Sequence, residues 1–121
     1  MASDAAYRDP DRDVREFHAH VYFSPATRDS AAGLRAHLAA QASLGLVIHP
    51  MRDGRAGPHL VTMFGVDIPK ASLPTVLGFL MLNHGPHSVL VHPVTSNEVQ
   101  DHSVHALWLG SPQPLDLSVL T

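Results

Sequence analysis

Cysteine is absent from the sequence. That one absence excludes disulfides, iron–sulfur clusters, thiolate zinc sites and a cysteine nucleophile. Basic residues are also scarce: eight Lys and Arg stand against eleven Asp and Glu. At a net charge of −3 there is no cationic stripe for a phosphate backbone, so nucleic-acid binding is disfavoured. No apolar run approaches the ~18 residues of a membrane span. The polar N-terminus lacks the build of a signal peptide, so a soluble cytoplasmic protein is expected. No serine sits in a G-x-S-x-G elbow, no glycine pattern fits a phosphate loop, and H-E-x-x-H is missing. What the chain does have is histidine, ten of them in 121 residues, more than Lys and Arg together.

With 45% hydrophobic residues, the length suits one packed domain. Residues 1–13 are charged and aperiodic, which predicts a flexible leader, with a single domain over 14–121. Glu16 to Phe23 alternates with period two and predicts a strand. Thr27 to Ser43 changes to helical spacing, with Ala31, Leu34, Leu38 and Ala42 on one face and Thr27 as N-cap. Leu46–His49 predicts a second strand, Pro58–Asp67 a third, and Ser88–His92 a fourth. Between the last two, Ser72 opens a second helix with Leu73, Val76, Leu77 and Leu80 inward. A short element is expected around Val104–Leu109. The order β-α-β-β-α-β predicts an α+β, ferredoxin-like fold: an antiparallel sheet with two helices on one face and the other face open.

On the first strand, Phe17, Ala19, Val21 and Phe23 face the helices, so His18, His20 and Tyr22 share the open face. Two imidazoles at i and i+2 stand roughly 7 Å apart and can reach one metal between them. The antiparallel fourth strand brings His92 alongside His18, which gives three candidate ligands for a divalent ion: His18, His20 and His92. Set against this is the blander view of a solvated polar strand face. His59, at the start of the third strand, is a candidate substrate contact or acid/base. His102 is another, its ring expected to be oriented by the adjacent Asp101. For each, an ordinary loop histidine bonded to backbone is the competing reading. His37, His49, His84, His87 and His105 are expected at helix surfaces, turns or element ends. Tyr22, Met63 and Leu90 predict an apolar patch on the open face, and hence a homodimer that covers it.

Phe17-His18-Ala19-His20-Val21-Tyr22-Phe23, Gly57-Pro58-His59, Ser88-Val89-Leu90-Val91-His92-Pro93, Asp101-His102 and Ala106-Leu107-Trp108-Leu109-Gly110 follow one another in a familiar order. From about Phe17 to Leu117 the chain resembles the fungal-type DOPA 4,5-dioxygenase family. His84 and Ser96 depart from that family's pattern. The resemblance implies a ferredoxin-like fold and extradiol cleavage of a catechol, DOPA-like or caffeate-like, by O₂ at a non-haem metal. Its functional set is His18, His20, His59, His92 and His102. Iron(II) is the implied metal, with zinc able to occupy the site on isolation, and Glu16, Glu98 or Asp101 could complete a facial triad. A substrate carboxylate could meet any of Arg28, Arg35, Arg52 or Arg55. Two other classes compete: a non-catalytic ferredoxin-like module that binds a small ligand or metal as a dimer, and a cofactor-free monooxygenase of the dimeric α+β barrel type.

Overall fold

The computed structural model describes residues 7–121. Five strands form one antiparallel sheet in the order β2-β3-β1-β4-β5, comprising β1 (Phe17–Tyr22), β2 (Val47–Ile48), β3 (Met63–Ile68), β4 (Val89–Pro93) and β5 (Leu107–Leu109). Helices α2 (Arg28–Ala39) and α3 (Leu73–Asn83) provide the two crossovers. Two single turns, α1 (Pro10–Asp13) and α4 (Glu98–Asp101), flank them in sequence. The first four strands give the ferredoxin-like arrangement, and β5 extends it beyond β4.

Period two does the sorting. Ala19 and Val21 on β1, Phe64, Val66 and Ile68 on β3, and Val89 and Val91 on β4 are buried together with Ala31 and Leu38 of α2 and Val76 and Leu80 of α3. This is the main core. Their alternates face the other way, and the register sets them in rows: His18 opposite Asp67 on one side and His92 on the other, then His20 opposite Gly65 and Leu90. Met63 stands opposite Tyr22 in the third row.

Several expectations are corrected. The third strand begins at Met63, not Pro58; residues before it turn back through an Ala56–His59 bridge, and His59 in turn bridges to Leu115. Gly57, at φ 55°, supplies the left-handed step this reversal needs. The first long helix stops at Ala39, well before Ser43, and is followed by a short 3-10 turn at Ala42–Leu44. Thr27 does not cap it; its hydroxyl instead accepts from the Ser24 backbone N–H at 2.9 Å. Ser72 likewise gives its hydroxyl to the Leu44 carbonyl at 2.6 Å, tying α3 to the turn after α2. Residues 1–6 of the expected leader lie outside the described residues, whereas Pro10–Asp13 form a helical turn capped by Asp9.

The second sheet face is not open. Tyr22, Met63 and Leu90 are 3%, 7% and 0% exposed, packed beneath Ala56, Val61, Ala106, Trp108 and Leu115. The patch that would drive a homodimer is therefore covered within the chain, by the segment before β3 and the segment around β5. The covering leaves one end of the face accessible, where the histidines stand.

Candidate metal centre

Rows one and two of the sheet supply the floor of the site. His18 and His20 project from β1, and His92 from β4, because each occupies an outward position of its strand. His59 reaches in from the turn before β3, and His102 from the residue that ends α4. The rings form one cluster. His20 lies 4.1 Å from His59 and 5.2 Å from His92, centroid to centroid, and His92 lies 4.1 Å from His102. His18 is 5.3 Å from His92. All five expected histidines are thus brought together, and His59 stands closer to His20 than its place in the sequence suggested. Donor atoms of His18, His20 and His92 lie within 4.8 Å of one another; so do those of His20, His59 and His102.

Second partners fix the rings. His92 donates Nδ1–H to the Pro93 carbonyl at 2.8 Å, and His102 donates Nδ1–H to the Glu98 carbonyl at 2.8 Å. Each is left with a lone pair on Nε2. His18 Nε2 lies 2.8 Å from Glu16 Oε2 and 3.2 Å from Asp67 Oδ1, so its proton belongs on Nε2 and its lone pair on Nδ1. Carbonyls and carboxylates behind an imidazole are the usual outer support of a metal ligand. The Tyr22 hydroxyl is 2.6 Å from His59 Nδ1. Burial raises the Tyr22 phenol further above its ordinary range, so the hydroxyl keeps its proton and donates it to His59.

Protonation is suppressed at His20, His59 and His92. Burial, reinforced by the charges neighbouring imidazoles would carry, pushes His59 down to about 4 and His20 well below its ordinary value. His92 falls to about 4, again mainly through burial. Neutral imidazole is the form that binds metal.

A divalent ion fits this donor set. His20 Nε2 and His92 Nε2 are 3.1 Å apart, and His20 Nδ1 is buried without a hydrogen-bond partner. Two metal–nitrogen bonds of 2.0–2.1 Å separate their nitrogens by roughly 2.9 Å at a right angle and 3.4 Å at the tetrahedral angle. The observed spacing falls between them. A cation shared by both nitrogens would use two lone pairs that a single hydrogen bond cannot.

Of the three expected carboxylates, Glu16 alone touches a cluster histidine. Glu98 is exposed and contributes its carbonyl. Asp101 does not orient His102: its carboxylate is buried and accepts from the Thr95 N–H at 2.8 Å and hydroxyl at 2.5 Å. Neighbours on a helical turn point about 100° apart, so adjacency in sequence separates them. Asp67 and His49 were missed by the sequence reading. Asp67 Oδ1 lies 3.0 Å from His49 Nε2 as well as against His18. The alternation Met63, Gly65, Asp67 on β3 carried that signal. His87 lies just before β4, at an element end as expected, but it is buried, its ring between the Tyr22 carbonyl and Ser30 Oγ.

Beside the histidines lies a cleft of about 590 Å³, bounded by His18, His20, His59 and His102 and, on its outer side, by His49, Arg52 and Arg55. Gly65 forms part of the floor: a Cβ there would stand 3.5 Å from the His49 ring and 3.6 Å from His20 Nδ1. The volume is in the range of small-molecule sites.

Fold and site together define a small ferredoxin-like protein carrying a histidine-rich cleft suited to a metal ion. Comparison with known proteins narrows the class. The model of the Dopa 4,5-dioxygenase family matches residues 17–119, and the chain belongs to that family. It is 31% identical over 123 residues to DOPA 4,5-dioxygenase of Amanita muscaria, a match covering 91% of this chain and 51% of that protein. An uncharacterized 21.2 kDa protein of Botryotinia fuckeliana is 39% identical over 72 residues, covering 53% of this chain and 39% of the other. The chain thus spans about half, or less, of the length of the curated relatives it matches. A solved structure from Nostoc punctiforme, described as a "putative dioxygenase", superposes with a TM-score of 0.87 at 36% identity, covering 93% of this chain and 96% of that one. Among the described residues, no helix is long and apolar enough to cross a membrane.

Proposed function

We propose that this protein is an extradiol dioxygenase that cleaves a catechol ring with O₂, using a non-haem iron(II) held by His18, His20 and His92. The observation that carries the proposal is the convergence of five imidazoles, three from the sheet floor and two from the segments above it, four of which (His18, His20, His59 and His102) line a substrate-sized cleft. Family membership supports the reaction class. His18, His20 and His92 are chosen as ligands because two of the three have an oxygen behind the ring, Glu16 and Asp67 for His18 and the Pro93 carbonyl for His92. Iron(II) bound there would supply the redox link between catechol and O₂.

The remaining residues handle substrate and protons. His102, with Nδ1–H given to a carbonyl, presents a basic Nε2 and takes the proton from a catechol hydroxyl. His59 is set in the opposite tautomer by Tyr22, so its Nε2 carries a hydrogen. Neutral and buried, it donates that N–H to negative charge growing on a substrate oxygen. The proton held on His102 then returns to the opened product. Trp108, stacked on Tyr22 at 5.8 Å, holds the tyrosine in place.

Protein reconstituted anaerobically with iron(II) and then given O₂ and a catechol should consume one O₂ per ring opened and form a coloured semialdehyde. His59→Ala or His102→Ala should retain iron and lose roughly 10²–10⁴-fold in turnover. If His59→Ala loses the metal while His92→Ala keeps it, ligation moves to His20, His59 and His102. No O₂ uptake with any catechol would leave the chain a small-ligand or metal-binding module.

A further inference from the structure

Seven of the eight Lys and Arg side chains are engaged within the chain. Arg8 and Arg12 pair with Asp13, Arg15 with Glu16, and Arg28 with Asp53. Arg35 donates to the His49 carbonyl, and Lys70 to carbonyls of Pro10 and Asp11. Arg55, on the cleft wall, is neutralised by Asp116 at 3.1 Å. Arg52 is the exception. It lines the same cleft, and among the described residues its guanidinium has no carboxylate or carbonyl partner. Its backbone N–H donates to the Met63 carbonyl at 3.1 Å, so the side chain is launched from a point fixed to the end of β3.

The cleft is lined by a single carboxylate, Asp67, whose Oδ1 already faces His18 and His49. Asp67 lies four residues along β3 from Met63, where Arg52 is anchored, a span of roughly 13 Å of extended strand. The backbone anchor of Arg52 and the engaged Asp67 carboxylate therefore lie toward opposite ends of β3.

We propose that Arg52 is the specificity-determining residue of this cleft, selecting catechols that carry one carboxylate on a short side chain over neutral catechols and over zwitterionic amino-acid catechols. The inference rests on the catechol reading given above. A guanidinium takes a carboxylate through two parallel N–H donors. In an α-amino acid the ammonium shares a carbon with that carboxylate, so it would sit beside Arg52, where no carboxylate lines the cleft.

The test compares 3,4-dihydroxyphenylpropionate, 4-methylcatechol and DOPA on the iron-loaded protein, by anaerobic calorimetry for Kd and by O₂ uptake for kcat/KM. The monoanion should bind at least about tenfold tighter than either competitor, an advantage that shrinks as salt is raised. Arg52→Gln should bring the three affinities within about twofold, and Arg52→Lys should restore part of the preference. Equal binding by the unaltered protein, or a preference that survives Arg52→Gln, overturns the assignment of Arg52. Neither binding nor turnover of any of the three would instead overturn the catechol reading, and the proposal with it.

Discussion

The two faces of the sheet are built from the same strands and differ in nearly everything else. Toward the helices, β1, β3 and β4 present Ala19, Val21, Phe64, Val66, Ile68, Val89 and Val91, all buried and none titratable. Toward the cleft, the alternate positions present His18, His20, Asp67 and His92 at one end and Tyr22, Met63 and Leu90 at the other. The first face is closed by helices contributed locally between strands. The second is closed only in part, by segments far apart in the sequence, and among the described residues it carries a buried imidazole nitrogen, His20 Nδ1, that no hydrogen bond satisfies. Folding free energy is concentrated on one side, and chemistry on the other.

Substitutions can break that division. His18→Ala with His20→Ala should abolish bound divalent metal, measured by elemental analysis, while leaving the far-ultraviolet circular dichroism intact. Full metal content in the double variant would remove the cleft face from metal binding. Phe64→Ala, on the helix face, should cost about 3–5 kcal/mol of stability by leaving a cavity in the closed core. Chemical denaturation measures this, and a loss below about 1 kcal/mol would show the core to be less tightly built than its burial implies.

Acid sharpens the contrast further, with a smaller effect. His59 and His92, held at about 4, are neutral in the folded protein where the unfolded chain would titrate near 6.5. Between those values the unfolded state binds more protons, so the stability of metal-free protein is complete above about pH 6.5 and falls as pH drops toward 4. The melting temperature followed from pH 7.5 to 4.5 should show this decline. His59→Ala should flatten it, whereas Phe64→Ala should shift the whole curve without changing its slope.

Much of the fold was legible because strand alternation is a local property. Phe17, Ala19 and Val21 fall on one side of β1 whatever the rest of the chain does, and antiparallel pairing then sets His18 beside His92. The position of His59 was legible in part: its place at the start of the third strand set it near Tyr22, where it is found, but not against His20. It depends on a reversal at Gly57 and on a bridge to Leu115, contacts that no local pattern encodes. His102 joins the cluster, but of its two candidate partners, the Asp101 carboxylate and the backbone, it is the backbone that holds the ring. In sequence Asp101 is nearest, whereas a helical turn offers the carbonyl four residues back. Period two places Asp67 on the histidine face, but its contact with His18 depends on the β1–β3 register, which pairs residues 49 positions apart.

The bridge from His59 to Leu115, with the Asp116 N–H donating to the Pro58 carbonyl at 2.8 Å, also bears on the order in which the protein matures. The helix-covered core draws its strands from residues up to Pro93 and can consolidate as soon as β4 has left the ribosome. The turn that carries His59 gains its clamp only when residues 115 and 116 follow. During synthesis there is consequently an interval in which the scaffold is folded and the imidazole cluster is still incomplete. On this topology the five-histidine cluster is completed only after residues 115 and 116 have been added to a scaffold whose four inner strands are already made.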